Sequence, residues 1–144
     1  MAYDPNNIFA KILRGEIPAH KVYEDDSTIA ILDVMPQADG HTLIVPKAQA
    51  ENLLDLDPKV AEAVMRAGQR VALAAWQAFQ PDGVTLMQFN GAEAGQTVFH
   101  FHLHVIPRYA GQPLRAHGRG CADPAVLAGH AARLRTALEN SPFG

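Results

Sequence analysis

The sequence predicts an α+β domain, an antiparallel five-stranded sheet with helices packed on one face. Three observations carry this. Apolar residues alternate in five short runs and recur at helical spacing in three others. The first strand-like runs are joined by short loops, which pairs neighbours antiparallel. The 144 residues, 48% of them apolar, suit one domain (1–144) that builds its core without disulfide staples.

The elements follow in order. Asn7 to Leu13 places Ile8, Phe9, Ile12 and Leu13 at helical spacing, and Gly15 and Pro18 stop the run. Lys21–Asp25 and Thr28–Asp33 form a hairpin around Asp25, Asp26 and Ser27. "MPQADGH" is a loop punctuated by Pro36, Asp39 and Gly40. Thr42–Val45 is an apolar strand ended by Pro46. A long helix starts with Asp57 as cap and Pro58 at its first position, where a missing N–H costs nothing. Val60, Val64, Ala67, Val71 and Ala75 form its apolar stripe, and "QPDG" ends it. Val84–Asn90 reads as a strand, "GAEAGQ" as a loop, and Phe99–Ile106 as a strand ended by Pro107. A last helix begins at Asp123–Pro124 and turns Leu127, Ala131, Leu134 and Leu138 inward.

Composition narrows the function. A formal net charge of −3 gives no general attraction to nucleic acid or membranes. No run of about 18 apolar residues is present to span a bilayer. The start, MAYDPNN, lacks the basic and apolar regions of a signal peptide, and the single Cys121 has no disulfide partner. The expected compartment is the cytoplasm.

The densest chemistry is "HFHLHV". Side chains alternate along a strand, so His100, His102 and His104 share one face, and Phe101, Leu103 and Val105 share the other. Two of the histidines, His100 and His102, would serve as an HxH metal pair. All three do not converge easily on one ion, because His100 and His104 stand roughly 13 Å apart on a straight strand. No CxxC pair or HExxH helix supplies further ligands. Nucleophilic catalysis fits the spacing better. Neutral imidazole is a competent nucleophile at pH 7, and attack on phosphorus splits a hydrolysis into two easier steps. His102 would attack while a flanking histidine orients it or protonates the departing group. The preceding "NGAEAGQTV" offers backbone N–H groups near Gly91 and Gly95, and neutral donors on Gln96 and Thr97. A metalloenzyme and a binding protein with incidental catalysis remain the rival readings.

The motif resembles that of the histidine triad family of nucleotide hydrolases and transferases, His-φ-His-φ-His-φ-φ with φ apolar. His100 to Ile106 matches it throughout, flanked by "GQTV" and "PR". "NIFAKILRGEIPAHKVYEDD" and "AILDVMPQADGHTLIVPK" are similar to earlier parts of such proteins. The motif-bearing core spans about 7–108, with a tail and helix over 109–144.

The resemblance implies a homodimer whose two sheets join, with no cofactor and a purine nucleotide (an AMP or GMP derivative) bound in each subunit. It implies that His102 attacks the α-phosphorus, that His100 orients and polarises the site, and that His104 contacts the phosphate and leaving group. It places Gln96 and Thr97 against the phosphate, Asn90 near it, and Asp33 on the ribose hydroxyls. Phe9, Ile12, Ile31 and Val34 would surround the base. Some bacterial relatives hold a structural zinc with two cysteines, a histidine and the first triad histidine. Asn7, Ala10 and Gln49 stand at the other three positions here, so no metal is expected. A histidine as third triad residue points to hydrolysis over nucleotidyl transfer. The N-terminal half favours the Hint-like phosphoramidase branch, with the Fhit-like dinucleoside polyphosphate hydrolases as the alternative. Arg108, Arg115, His117 and Arg119 are read as a solvated basic loop rather than a polyphosphate guide. His20, His41 and His130 are read as structural or surface residues, and Cys121 as an unreactive thiol.

Overall fold

The computed structural model describes residues 2–116 and 120–143, so His117 and Arg119 of the basic tail lie outside the described residues. Five strands form one antiparallel sheet: β1 (Lys21–Glu24), β2 (Thr28–Leu32), β3 (Thr42–Pro46), β4 (Gly83–Met87) and β5 (Leu103–Arg108). Their spatial order is β1-β2-β3-β5-β4. Three α-helices accompany them: α1 (Ile8–Leu13), α2 (Pro58–Phe79) and α3 (Pro124–Glu139). No helix among the described residues is long and apolar enough to cross a membrane.

Local chemistry sets the ends of these elements. The Asn7 side chain accepts from the Ala10 N–H at 2.9 Å and starts α1. Asp57 and Asp123 cap α2 and α3 in the same way, each followed by proline. Asp25 Oδ1 accepts from the Ser27 and Thr28 N–H groups, which closes the first hairpin.

Helices cover both faces of the sheet, not one. α2 and α3 pack Val64, Ala67, Val71, Leu127, Ala131 and Leu134 on Ala30, Leu32, Ile44, Leu103 and Val105. α1 sets Phe9 on the opposite face, against Ile29, Ile31, Leu43 and Val45. The physical reason lies in β2 and β3, whose residues are all buried. Strands apolar on both sides need cover on both. Gly68 brings α2 close to β5, since a Cβ there would stand 3.0 Å from Leu103 Cδ2.

Two strand boundaries differ from the sequence reading. β5 begins at Leu103, not Phe99, because the Phe101 N–H donates to the Ala50 carbonyl at 2.8 Å rather than to a neighbouring strand. It continues through Pro107, beyond the Leu103–Val105 stretch that β3 pairs, so the missing N–H costs no bond on that side. β4 ends at Met87, not Asn90, because the Gln88 and Asn90 side chains bond to each other and turn the chain.

Candidate active site

The alternation of side chains persists upstream of β5. Phe101 joins the α2 core, while His100 and His102 face α1 with His104. The Phe9 ring stands edge-on to His102, with centroids 4.8 Å apart. His102 and His104 are 5.0 Å apart by the same measure. One short stretch of chain therefore carries the triad, with His100 and His102 against the Phe9 ring and His104 beside Phe89.

Hydrogen bonds fix where the ring protons sit. His102 Nδ1 lies 2.7 Å from the His100 carbonyl oxygen. A carbonyl only accepts, so Nδ1 carries the hydrogen and the neutral ring's lone pair is on Nε2. His100 Nε2 lies 2.8 Å from the Pro46 carbonyl and donates to it, which leaves Nδ1 to accept from the Tyr3 hydroxyl at 2.6 Å. Burial pushes the His100 pKa down, the His102 charge adds to this, and the Pro46 bond opposes it. His100 is a neutral, fully buried ring.

A second chain of bonds orients His104. The Gln37 backbone N–H donates to His41 Nδ1 at 3.1 Å. The single proton of a neutral His41 is then on Nε2, 2.9 Å from His104 Nδ1. His104 accepts there and presents its own N–H on Nε2. Asp33 Oδ2 lies 3.6 Å from His41 Nε2, and Asp33 Oδ1 accepts from the Met35 N–H at 2.9 Å. Asp33, His41 and His104 hold one ligand-type atom each within 4.8 Å of one another, and these bonds account for that proximity.

His41 is the residue that sequence reasoning missed. It is 1% exposed and belongs to the site, not to the surface. Its signal was parity: His41 lies two residues before Leu43, which shares the His104 face. Gly40 makes its placement possible. Its φ of +87° suits glycine, and a Cβ would stand 3.0 Å from the Phe79 ring and 3.2 Å from Pro107.

In front of His102 and His104 lies a cavity of about 220 Å³, walled mostly by apolar side chains. Phe9, Ile12, Ile31 and Val34 line it, with Asp33 and Thr97. Ile8, Ile17, Leu43 and Val98 are among the further wall residues, none of which was expected. The structure thus brings together His102, His104, Asp33, Thr97 and the four expected apolar residues. The His100 ring turns instead into a neighbouring cavity of about 550 Å³ beside Tyr3, Ala10 and Gln49.

Gln96 and Asn90 stand away from that first cavity. Gln96 Nε2 donates to the Glu51 and Val98 carbonyls, and Oε1 accepts from the Gly91 N–H at 2.8 Å. Asn90 Oδ1 accepts from the Leu53 N–H at 2.9 Å. Both amides hold the glycine loop to the turn at residues 51–53. Among the described tail residues, Arg115 stays exposed yet is tied back to the domain. Arg115 pairs with Asp39 at 2.6 Å, and its N–H donates to the Gln37 carbonyl. Arg108 reaches Thr85 at 3.4 Å, and Cys121 is exposed.

The fold and site define a class: α+β proteins that present three alternating histidines from one sheet segment beside an apolar cavity with a carboxylate on its wall. The HIT domain model matches residues 14–111. The chain belongs to the histidine triad (HIT) family. A Hit-like protein of Bartonella henselae, described as involved in cell-cycle regulation, is 49% identical with a TM-score of 0.88 over 94% of this chain and 99% of that one. A Zn-bound histidine triad family protein of Mycobacterium smegmatis is 37% identical, TM-score 0.84, over 94% of each chain. Adenylylsulfatase HINT3 of Arabidopsis thaliana is 40% identical over 116 residues, 76% of this chain and 59% of that protein. The family thus includes hydrolases of nucleotide derivatives.

Proposed function

We propose that this protein is a nucleotide hydrolase that cleaves purine nucleoside phosphoramidates, or related AMP or GMP esters, through a nucleotidyl–His102 intermediate. The observation that carries the reading is the 2.7 Å bond from His102 Nδ1 to the His100 carbonyl. It puts the nucleophilic lone pair on Nε2 and supports the positive charge the ring acquires as the phosphorus–nitrogen bond forms. His104 Nε2–H is the donor for a phosphate oxygen or the departing atom. Thr97 adds a hydroxyl beside the same cavity. Asp33 accepts from the ribose hydroxyls, and Phe9, Ile12, Ile31 and Val34 bury the base. Gln96 and Asn90 act one step back, by shaping the loop that faces the phosphate. His100 orients His102 through its backbone carbonyl.

The assembly in this reading is a cytoplasmic homodimer. β4 is a sheet edge with Leu86 43% exposed, and α2 presents Met65 and Trp76 at 54% and 49%. A second copy pairing there covers an otherwise bare edge.

The test is AMP release from adenosine 5′-phosphoramidate and from diadenosine triphosphate. The expected result is faster release from the phosphoramidate, and none from either with His102→Ala. Faster cleavage of the triphosphate transfers the protein to the polyphosphate branch. Binding of AMP without cleavage of either compound supports a regulatory nucleotide-binding protein instead.

A further inference from the structure

The structure assigns Tyr3 the role of a positioning residue: its hydroxyl donates to His100 Nδ1 and so holds the backbone carbonyl that orients His102. The role of this phenol in the reaction rests on the function proposed above; its effect on His100 does not.

The geometry starts from a buried ring with two matched partners. A neutral imidazole has one donor and one acceptor. In His100 the donor goes to Pro46 at 2.8 Å and the acceptor receives Tyr3 at 2.6 Å. Tyr3 also packs its ring edge-on to His100, with centroids 5.6 Å apart, and Phe9 closes another side at 6.2 Å. The contact joins residues 97 positions apart, and nothing in the N-terminal sequence pattern announces it.

The zinc that the resemblance implies for some bacterial relatives does not fit here. Ala10 and Gln49 do line one cavity with His100. Ala10 offers no donor atom, and Gln49 offers only a neutral amide. The Asn7 side chain is engaged on both ends, accepting from the Ala10 N–H and donating to the Asp4 carbonyl. His100 Nδ1 already accepts from Tyr3. A hydroxyl proton stands where His100 would otherwise present a lone pair to a metal. The phenol therefore anchors the first triad histidine without a thiolate site.

The consequence runs through the backbone. If the Tyr3 hydroxyl is lost, His100 Nδ1 loses its donor and the ring loses the bond that fixes its rotation. A turned ring carries the His100 carbonyl away from His102 Nδ1. Small displacements of a positioned nucleophile cost rate far more than they cost binding. Asp33 and the apolar wall are untouched, so nucleotide affinity stays.

The test compares wild type with Tyr3→Phe, which keeps the packed ring, by imidazole ¹⁵N NMR and steady-state kinetics. Circular dichroism first establishes that the variant is folded. Wild type should show His100 protonated on Nε2 alone, with Nδ1 a hydrogen-bonded acceptor. Tyr3→Phe should lose that Nδ1 signature and its kcat should fall about 10-fold, with KM within about twofold. Unchanged His100 signals overturn the assignment, whatever the rate does. Changed signals with an unchanged kcat overturn the positioning role. The NMR arm needs no substrate, so a wild type that hydrolyses nothing refutes the proposed function and leaves the Tyr3–His100 bond to be judged separately.

Discussion

His41 Nε2 donates to His104 Nδ1 across 2.9 Å, and the direction is fixed by the Gln37 N–H on the far side of the His41 ring. The bond decides which edge of His104 is a donor toward the cavity. His41→Ala should therefore lower kcat by about 10²-fold or more, the scale for losing an oriented donor aimed at developing charge. His41→Gln, whose amide can still donate, should recover part of the loss. Steady-state kinetics on both variants checks this. Equal damage from the two would show that the histidine matters only for packing.

Asp33 is 5% exposed on the wall of the same cavity, at the end of β2. In the proposed function this carboxylate accepts from the ribose hydroxyls, and so would distinguish ribose from deoxyribose. Wild type should prefer adenosine over 2′-deoxyadenosine substrates, and Asp33→Ala should erase the preference chiefly through KM. Comparison of kcat/KM for the two sugars gives the answer, and a preference that survives the substitution refutes the contact.

Gly40 combines a left-handed backbone with two tight neighbours, the Phe79 ring and Pro107. Gly40→Ala meets backbone strain and overpacking together, for a loss of about 2–3 kcal/mol. On a chain of this size that lowers Tm by roughly 5–10 °C. Activity should fall beyond the effect on stability, because His41 is the next residue. Thermal unfolding and kinetics at a temperature well below Tm separate the two effects.

Acid should destabilise the fold in a defined window. The His100 pKa lies below its ordinary value, with burial as the main cause. Burial lowers His130 as well. Below pH of about 6.5 the unfolded chain takes up protons that the folded chain refuses. Stability is full above that pH and declines as the pH falls through it. Glu24, held from 4.5 down to about 2 by hydrogen bonds from Lys21 and Lys47, adds a further loss below pH 4.5. That second contribution is small, since the group is exposed and its pairs are screened. Tm measured from pH 8 to pH 4 should be flat at first and then fall. A Tm that rises between pH 7 and pH 5 contradicts the buried neutral His100.

The sequence and the structure agree most where a single period governs. The alternation in "HFHLHV" puts three histidines on one side even though the hydrogen-bonded ladder begins only at Leu103. The Asp57 cap is local and stands where the sequence implies, and α3 starts at the expected Asp123–Pro124. The features that escaped depend on distant neighbours. β2 reads as an ordinary apolar strand, and only its pairing shows that both faces need cover. His41 reads as a loop residue until β3 is laid beside β5. Gln96 carries the donors a phosphate needs, yet the Glu51 carbonyl, 45 residues away, takes one of them. Tyr3 meets His100 through tertiary folding alone.

The central claim is that His102 Nε2 becomes covalently bonded to the α-phosphorus. Rapid mixing with adenosine 5′-phosphoramidate, acid-free quenching and peptide mass spectrometry test it directly. The predicted result is a transient AMP adduct on the peptide containing His102, formed before free AMP and absent in His102→Ala. Hydrolysis that proceeds at full rate in His102→Ala, or an adduct on another residue, would contradict it.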